Sequence, residues 1–273
     1  MRAEYSLITC KTALSPSRLP GLDYSLNPYV GCEHGCAYCY SPSVLRDPGL
    51  AANWGKVVRA KQNIVEVLTR EVKRKPRGVV GVSTVTDPYQ PIEAKLELTR
   101  KCIEVLSKHD FPISIQTKSA LVLRDIDLMV PGKTEVGVTI TTMDRRLANL
   151  LESGASLPDA RAKILEKFSS RGVVTWLFLG PIIPELNDSE ESLRQVIEVA
   201  ARTKSKVIYD KLNLKWLVME RLGPVLEKEK PGLAGRLPEL TNDRSRWAYQ
   251  LRSEIEKICS RLGVKCEAAF PSG

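Results

Sequence analysis

Three cysteines stand within the ten-residue segment GCEHGCAYCY, residues 31–40. Cys32, Cys36 and Cys39 follow the order C-x3-C-x2-C, while Cys10, Cys102, Cys259 and Cys266 are scattered. This feature constrains the fold more than any other, because one short loop must bring three sulfurs to a single guest. Seven cysteines is an odd number, and the opening stretch MRAEYSLITCKTALS has no continuous apolar core, so a secreted disulfide framework is not expected. Thiolates this close are metal ligands far more often than a disulfide plus a spare. Zinc held by Cys32, Cys36, Cys39 and His34 is one candidate. Structural zinc sites usually draw ligands from two knuckles well separated in sequence, and four ligands from one loop would be cramped. Iron–sulfur clusters do take clustered cysteines from a single loop. A cubane bound by three cysteines leaves one iron open to a substrate or cofactor.

The rest of the chain alternates. Runs rich in Val, Ile and Thr occur at 78–86, 112–117, 135–141, 172–180 and 206–212, and a further strand is expected around DYSLNPYVG, residues 23–31. They read as strands apolar on both faces, as in buried parallel sheets. Helix-period segments lie between them, at 61–75, 96–109, 120–129, 157–168 and 188–204, with a last one at 242–263. Pro158 suits a first helical turn, Asp188 and Glu191 have capping-box spacing, and Gly263 suits a helix C′ position. Six strand–helix units predict a parallel sheet with right-handed crossovers. The stretch 223–243, with three Pro and three Gly, is expected to be a long loop or lid, and VKCEAAF a short closing strand. We expect one domain over residues 1–273, with a barrel core at about 22–215 and a C-terminal loop and helix at 216–273.

In parallel barrels chemistry gathers at the C-terminal strand ends. Here those ends read Cys32–Cys39, Thr86-Asp87-Pro88-Tyr89-Gln90, Thr117-Lys118, Thr141-Thr142-Met143-Asp144, Gly180-Pro181 and Leu212-Asn213. Polar residues follow directly on apolar strands, although turns and helix starts also use Thr, Asp, Asn and Gly. No run of about 18 apolar residues exists to span a membrane, so a cytoplasmic protein without membrane contact is expected. The net charge of +9, from 41 Lys and Arg against 32 Asp and Glu, would attract a polyanion such as nucleic acid. It is equally compatible with lysines that only solvate helix faces.

CEHGCAYC resembles the C-x3-C-x-aromatic-C signature of the radical SAM superfamily, with Tyr38 as the aromatic residue. The segments LDYSLNPYVGCEHGCAYCY, TDPYQPIE (86–93), TKSALVLRDIDL (117–128) and LGPIIPELND (179–188) are together similar to the spore photoproduct lyase-related branch of that superfamily. The resemblance covers roughly residues 5–215. It implies an incomplete parallel (β/α)6 TIM-like barrel, here with a C-terminal helical extension, and two cofactors, a [4Fe–4S] cluster and S-adenosylmethionine (SAM). It carries Cys32, Cys36 and Cys39 over as cluster ligands. Tyr38 would reach the adenine through its backbone, and Lys118 would face the SAM carboxylate. Thr139 and Thr141 would approach the ribose, while Asp87 and Asn213 would contact SAM or substrate. The free iron would chelate SAM, an external electron donor would supply one electron, and a 5′-deoxyadenosyl radical would abstract hydrogen from the substrate.

One departure stands out. The branch's lyases carry a cysteine near the end of the second strand that returns hydrogen to the product radical, and this chain has GVSTVTDPYQ there. Cys10 or Tyr89 could substitute, although packing is the expected fate of both. A lyase acting on damaged DNA is the leading expectation, with radical modification of RNA or of a protein side chain as the alternative. A non-enzymatic alternative is a zinc-stabilised binder gripping nucleic acid through Arg244, Arg246, Trp247, Tyr249 and Arg252.

Overall fold

The computed structural model describes residues 3–270. Six parallel strands form its spine: β1 (Tyr24–Leu26), β2 (Val80–Val82), β3 (Ile113–Thr117), β4 (Thr134–Thr139), β5 (Val174–Ile182) and β6 (Lys206–Lys211). Each pairs with the next in chain order, so every connection is a βαβ crossover. β7 (Cys266–Ala268) adds parallel to β6, and Ser15–Pro16 pairs antiparallel with β1 at the other edge. These two edge strands are not paired to each other, which leaves the barrel open on one side. A separate small sheet joins Glu4–Ile8, Val57–Lys61 and Tyr29–Val30 beside the cysteine loop.

The strands are not apolar on both faces as their composition suggested. One face of each packs under the helices: Ile113 and Ile115, Val136 and Val138, Leu177 and Leu179, Val207 and Tyr209. The alternate residues Ser114, Gln116, Thr139, Trp176, Phe178 and Asp210 line a cavity. The period of two therefore separates a dry helix-covered face from a partly polar inner one, because an unclosed barrel is not filled by its own side chains.

Several boundaries differ from expectation. β2 spans only Val80–Val82, since Ser83 has a positive φ of 64° that ends the strand. The 120–129 segment is a 3-10 helix kinked at Asp125. Ser189, not Asp188, caps helix Glu190–Thr203, accepting from the Ser192 N–H at 3.2 Å. Asp188 instead accepts the Trp247 indole N–H at 2.8 Å, which docks the last helix, Arg246–Leu262. The expected loop at 223–243 is two helices, Val218–Glu229 and Leu233–Leu240, with Pro224 and Pro238 inside them. Their apolar residues Leu222, Leu226, Leu233 and Leu237 bury against Tyr38, Leu147 and Leu151, and that burial outweighs the helix-breaking tendency of the prolines.

The cysteine loop is seated on a buried ion pair. Arg161 Nη2 lies 2.6 Å from Glu152 Oε2, and both side chains are almost wholly buried. Arg161 also donates to the carbonyls of Ser156 (2.6 Å) and Thr139 (3.2 Å). Glu152 Oε1 accepts from the Tyr38 hydroxyl and lies 2.8 Å from Thr141 Oγ1. The loop backbone leans on the same segment. The Ala37 N–H donates to the Leu151 carbonyl (2.9 Å) and the Gly154 N–H to the His34 carbonyl (3.2 Å). A Cβ at residue 154 would meet the Glu33 carbonyl oxygen at 2.4 Å and the His34 Cα at 2.8 Å, so only glycine allows this approach.

Three outcomes are expected. Glu152→Ala strands a buried guanidinium and should cost about 3–5 kcal/mol, read as a lower urea midpoint. Burial alone would raise the Glu152 carboxyl, but Arg161 and Lys118 hold it below its ordinary value. A depressed carboxylate stabilises the fold above its unfolded pKa and loses that contribution as pH falls, so acid unfolding of Glu152→Gln should depend less on pH than that of the parent. Gly154→Ala should displace the loop, lower stability by about 1–3 kcal/mol and reduce iron taken up on anaerobic reconstitution. Parent-level iron in Gly154→Ala would show that the loop tolerates the shift.

Candidate functional site

The loop that carries the three cysteines is clamped from two sides. Opposite the 151–161 wall, the Glu33 N–H donates to Gln90 Oε1 (3.0 Å), and the Ile92 N–H donates to Glu33 Oε1 (2.7 Å). Gln90 Nε2 reaches the Gly31 carbonyl (3.2 Å) and Thr86 Oγ1 (2.9 Å), and the Thr86 hydroxyl donates to that same carbonyl (2.8 Å). Gly31 has φ +92°, and a Cβ there would lie 2.4 Å from the Val57 carbonyl oxygen. Little side chain from the loop is therefore free to wander, and all three sulfurs border one cavity.

Burial raises the Cys32 thiol well above its ordinary value, helped by the charge of Asp87. It pushes Cys36 up to about 12 although Lys118 acts in the opposite direction. Such thiols keep their protons at neutral pH until a metal displaces them. Among the described residues, no group of three or more His, Cys, Asp and Glu side chains closes around the position of a single metal ion. Cys32, Cys36 and Cys39 are the thiols that border the cavity. His34 does not join them: its Nδ1 lies 3.3 Å from Asp87 Oδ2 and its side chain is buried.

Asp87, at the turn after β2, is occupied by protein donors. Oδ1 accepts from the Tyr89 N–H (2.9 Å) and the Thr117 hydroxyl (2.7 Å), and Oδ2 from the Lys118 N–H (2.8 Å). Burial alone would raise its pKa, but His34 and Lys118 bring it well below the carboxylate range. Burial would lower Lys118, and the charges of Cys36, Glu152 and Asp87 override that and raise it. Lys118 is thus a cation on the cavity wall beside Cys36. Asp87 lines the same cavity and holds the Lys118 backbone N–H.

The cavity measures about 1190 Å³ and runs from the cysteines down the barrel interior. Thr139 lines it and accepts from Gln116 Nε2 at 3.1 Å. Asn213 lines its mouth. Thr141 is buried, with its hydroxyl 3.2 Å from the Gly180 carbonyl as well as near Glu152, and its side chain does not line the cavity. Tyr38 likewise spends its side chain on Glu152. Cys10 packs on the core near Asn63, and Tyr89 is wholly buried, so neither borders the cavity. Trp247 packs against the core, which removes it from the basic–aromatic grip considered above.

Several site residues were not singled out in the sequence. Tyr40 lines the cavity directly after the third cysteine, and burial, then the charge of Cys39, raises its phenol. Asp210 lines it at the end of β6, where burial lifts its carboxyl to about 6. Glu152 and Arg161 had one detectable signal. Arg161 shares the apolar stripe of Ile164, Leu165 and Phe168 in helix Pro158–Ser169, where a charge is out of place unless paired.

Among known proteins, a family model described as Radical SAM superfamily matches residues 26–197. Uncharacterized protein MJ0683 of Methanocaldococcus jannaschii is 33% identical over 190 residues, 69% of this chain and 71% of that one. Uncharacterized protein Rv2578c of Mycobacterium tuberculosis is 30% identical over 248 residues, 85% and 72% of the two chains. Among solved structures, a spore photoproduct lyase mutant with bound AdoMet and dinucleoside spore photoproduct aligns with a TM-score of 0.71 at 16% identity, over 98% of this chain and 82% of that one. Streptococcus suis SuiB bound to S-adenosylmethionine aligns with a TM-score of 0.55 at 11% identity, over 89% and 46%. No helix among the described residues is long and apolar enough to cross a membrane. The family match spans more than half of the chain and includes the cysteine loop and four of the six barrel strands, β2 to β5, so this chain belongs to the radical SAM superfamily, whose members use a [4Fe–4S] cluster and SAM.

Proposed function

We propose that the protein is a radical SAM enzyme acting on a nucleic-acid substrate, with a lyase-like reaction on a damaged or modified base. The observation that carries this is the cavity itself: three cysteines at one end, a lysine beside them, and a wall that includes Trp176, Phe178, Gln116 and Thr139. Aromatic faces stack planar rings, and an amide and a hydroxyl read their edges. The open side of the barrel admits a substrate larger than the cavity, and the net charge of +9 favours a polyanion. The spore photoproduct lyase with a bound dinucleoside shares this fold along almost the whole chain.

Cys32, Cys36 and Cys39 would hold the cluster. When bound, cluster and SAM together supply reductive C5′–S cleavage and hydrogen-atom abstraction. The chain's own contributions are positional. Lys118 presents a cation to a carboxylate in the cavity, and Asp87 fixes the Lys118 backbone. The leucines of helices Val218–Glu229 and Leu233–Leu240 pack against the loop and exclude water from its outer side. Besides the three cluster cysteines, no cysteine among the described residues lines the cavity. Of the two phenols that border it at the cluster loop, Tyr38 gives its hydroxyl to Glu152, which leaves Tyr40, and a phenolic O–H gives up hydrogen far more readily than an aliphatic hydroxyl. Hydrogen return is assigned to Tyr40.

Four measurements test this. Anaerobically reconstituted, dithionite-reduced protein should cleave SAM to 5′-deoxyadenosine, and Cys36→Ala should abolish that; continued cleavage in the variant removes Cys36 from the ligand set. Lys118→Ala should weaken SAM binding about tenfold or more, consistent with loss of a charge-assisted contact, at unchanged iron content. Incubation with deuterated lesion-bearing oligonucleotides, RNA and peptides should move deuterium into 5′-deoxyadenosine only from nucleic acid. Transfer from the peptide alone would overturn the substrate class. Tyr40→Phe should retain SAM cleavage but lose product.

A further inference from the structure

A cation outside the family-matched segment reaches into the cysteine loop. Arg221 sits on helix Val218–Glu229, beyond the matched residues 26–197. Its Nη2 donates to the carbonyl of Cys39. Its Nε–H is buried and has no hydrogen-bond partner in the protein. The guanidinium interacts electrostatically with Cys39 and, more weakly, with Cys36. The neighbours Val218 and Leu222 on the same helix bury in the cluster of side chains that contains Cys36 and Tyr38. The helix is thus packed so as to deliver Arg221 to this place, and an orphaned buried donor there asks for an acceptor that the polypeptide does not supply.

We infer that Arg221 is a positioning and charge-balancing residue for the iron–sulfur cluster, with its unpartnered N–H directed to a cluster sulfur. The inference rests on Cys32, Cys36 and Cys39 being the ligands. Three thiolates on a doubly charged cubane leave a net negative charge, and one-electron reduction doubles it. A nearby buried cation therefore stabilises the reduced state more than the oxidised one. Hydrogen bonds to sulfur and local charge are among the levers that set the potentials of such clusters. Lys118 and Arg161 act on Cys36 from the barrel side, whereas Arg221 approaches Cys39 from the C-terminal helices.

The test is an EPR-monitored redox titration of the anaerobically reconstituted full chain without SAM, with iron counted per protein. Arg221→Gln at full iron content should have a more negative midpoint. At a fixed potential its reduced-to-oxidised ratio should fall about tenfold, or about 59 mV for a one-electron couple. Arg221→Lys, which keeps the charge, should stay near the parent. Full iron with the parent potential in Arg221→Gln overturns the inference. If Arg221→Gln fails to load, Arg221→Lys decides: loading with a near-parent potential supports the charge role, and failure to load, or loading with a clearly more negative midpoint, assigns Arg221 to loop structure alone. A parent protein without the cluster signal would instead remove the ligand assignment on which the inference stands.

Discussion

The buried pair between Arg161 and Glu152 is the contact on which the rest of the site depends. Glu152 takes the Tyr38 hydroxyl from the cysteine loop, and Arg161 takes the Thr139 carbonyl from β4 and the Ser156 carbonyl from the connecting segment. One ion pair thus ties the loop, a barrel strand and a helix together. Two charges so far from water persist because each faces the other at 2.6 Å and both hold further hydrogen bonds to the surrounding chain. Such a pair specifies one arrangement of its partners rather than adding much net stability. A loop that must present three sulfurs to one guest needs that kind of specification.

The charges around this pair are graded toward the cavity. Asp87 holds the backbone of Lys118 and sits against His34, so its negative charge is already engaged by protein groups. Lys118 is then the cation at the surface of the cavity, beside Cys36, and Arg221 supplies a second one from the far side at Cys39. A negatively charged cluster and a carboxylate-bearing cofactor would find opposite charge already in place, with little reorganisation on binding. Along the barrel interior Gln116, Trp176 and Phe178 stand among further charged residues such as Glu135, Lys206 and Asp210, so stacking and edge recognition act beside charge.

The cysteine motif, the order of strands and helices, and the polar residues that close each strand were legible without coordinates, because spacing and periodicity are local properties. The alternating faces of β3 to β6 were less so. Val, Ile and Thr on these strands suggested burial on both sides, and only the open barrel exposes Ser114, Gln116 and Asp210 to a cavity. The 223–243 segment misled because Pro224 and Pro238 count as helix breakers locally, while the leucines that hold those helices find their partners some 75–90 residues earlier, at Leu147 and Leu151.

What the sequence determined alone was the chemistry on offer: three thiols on one loop, an aromatic between the last two, a lysine at the end of a strand, and a βαβ rhythm that puts them at one rim. What only the tertiary structure decided was which groups support that chemistry. Glu152, Arg161, Gly154 and Arg221 lie more than 100 residues from the cysteines, and nothing in their local pattern identifies their partner. Their roles follow from burial, since a charge or a glycine acquires meaning only from what is packed against it, and packing is a property of the folded chain.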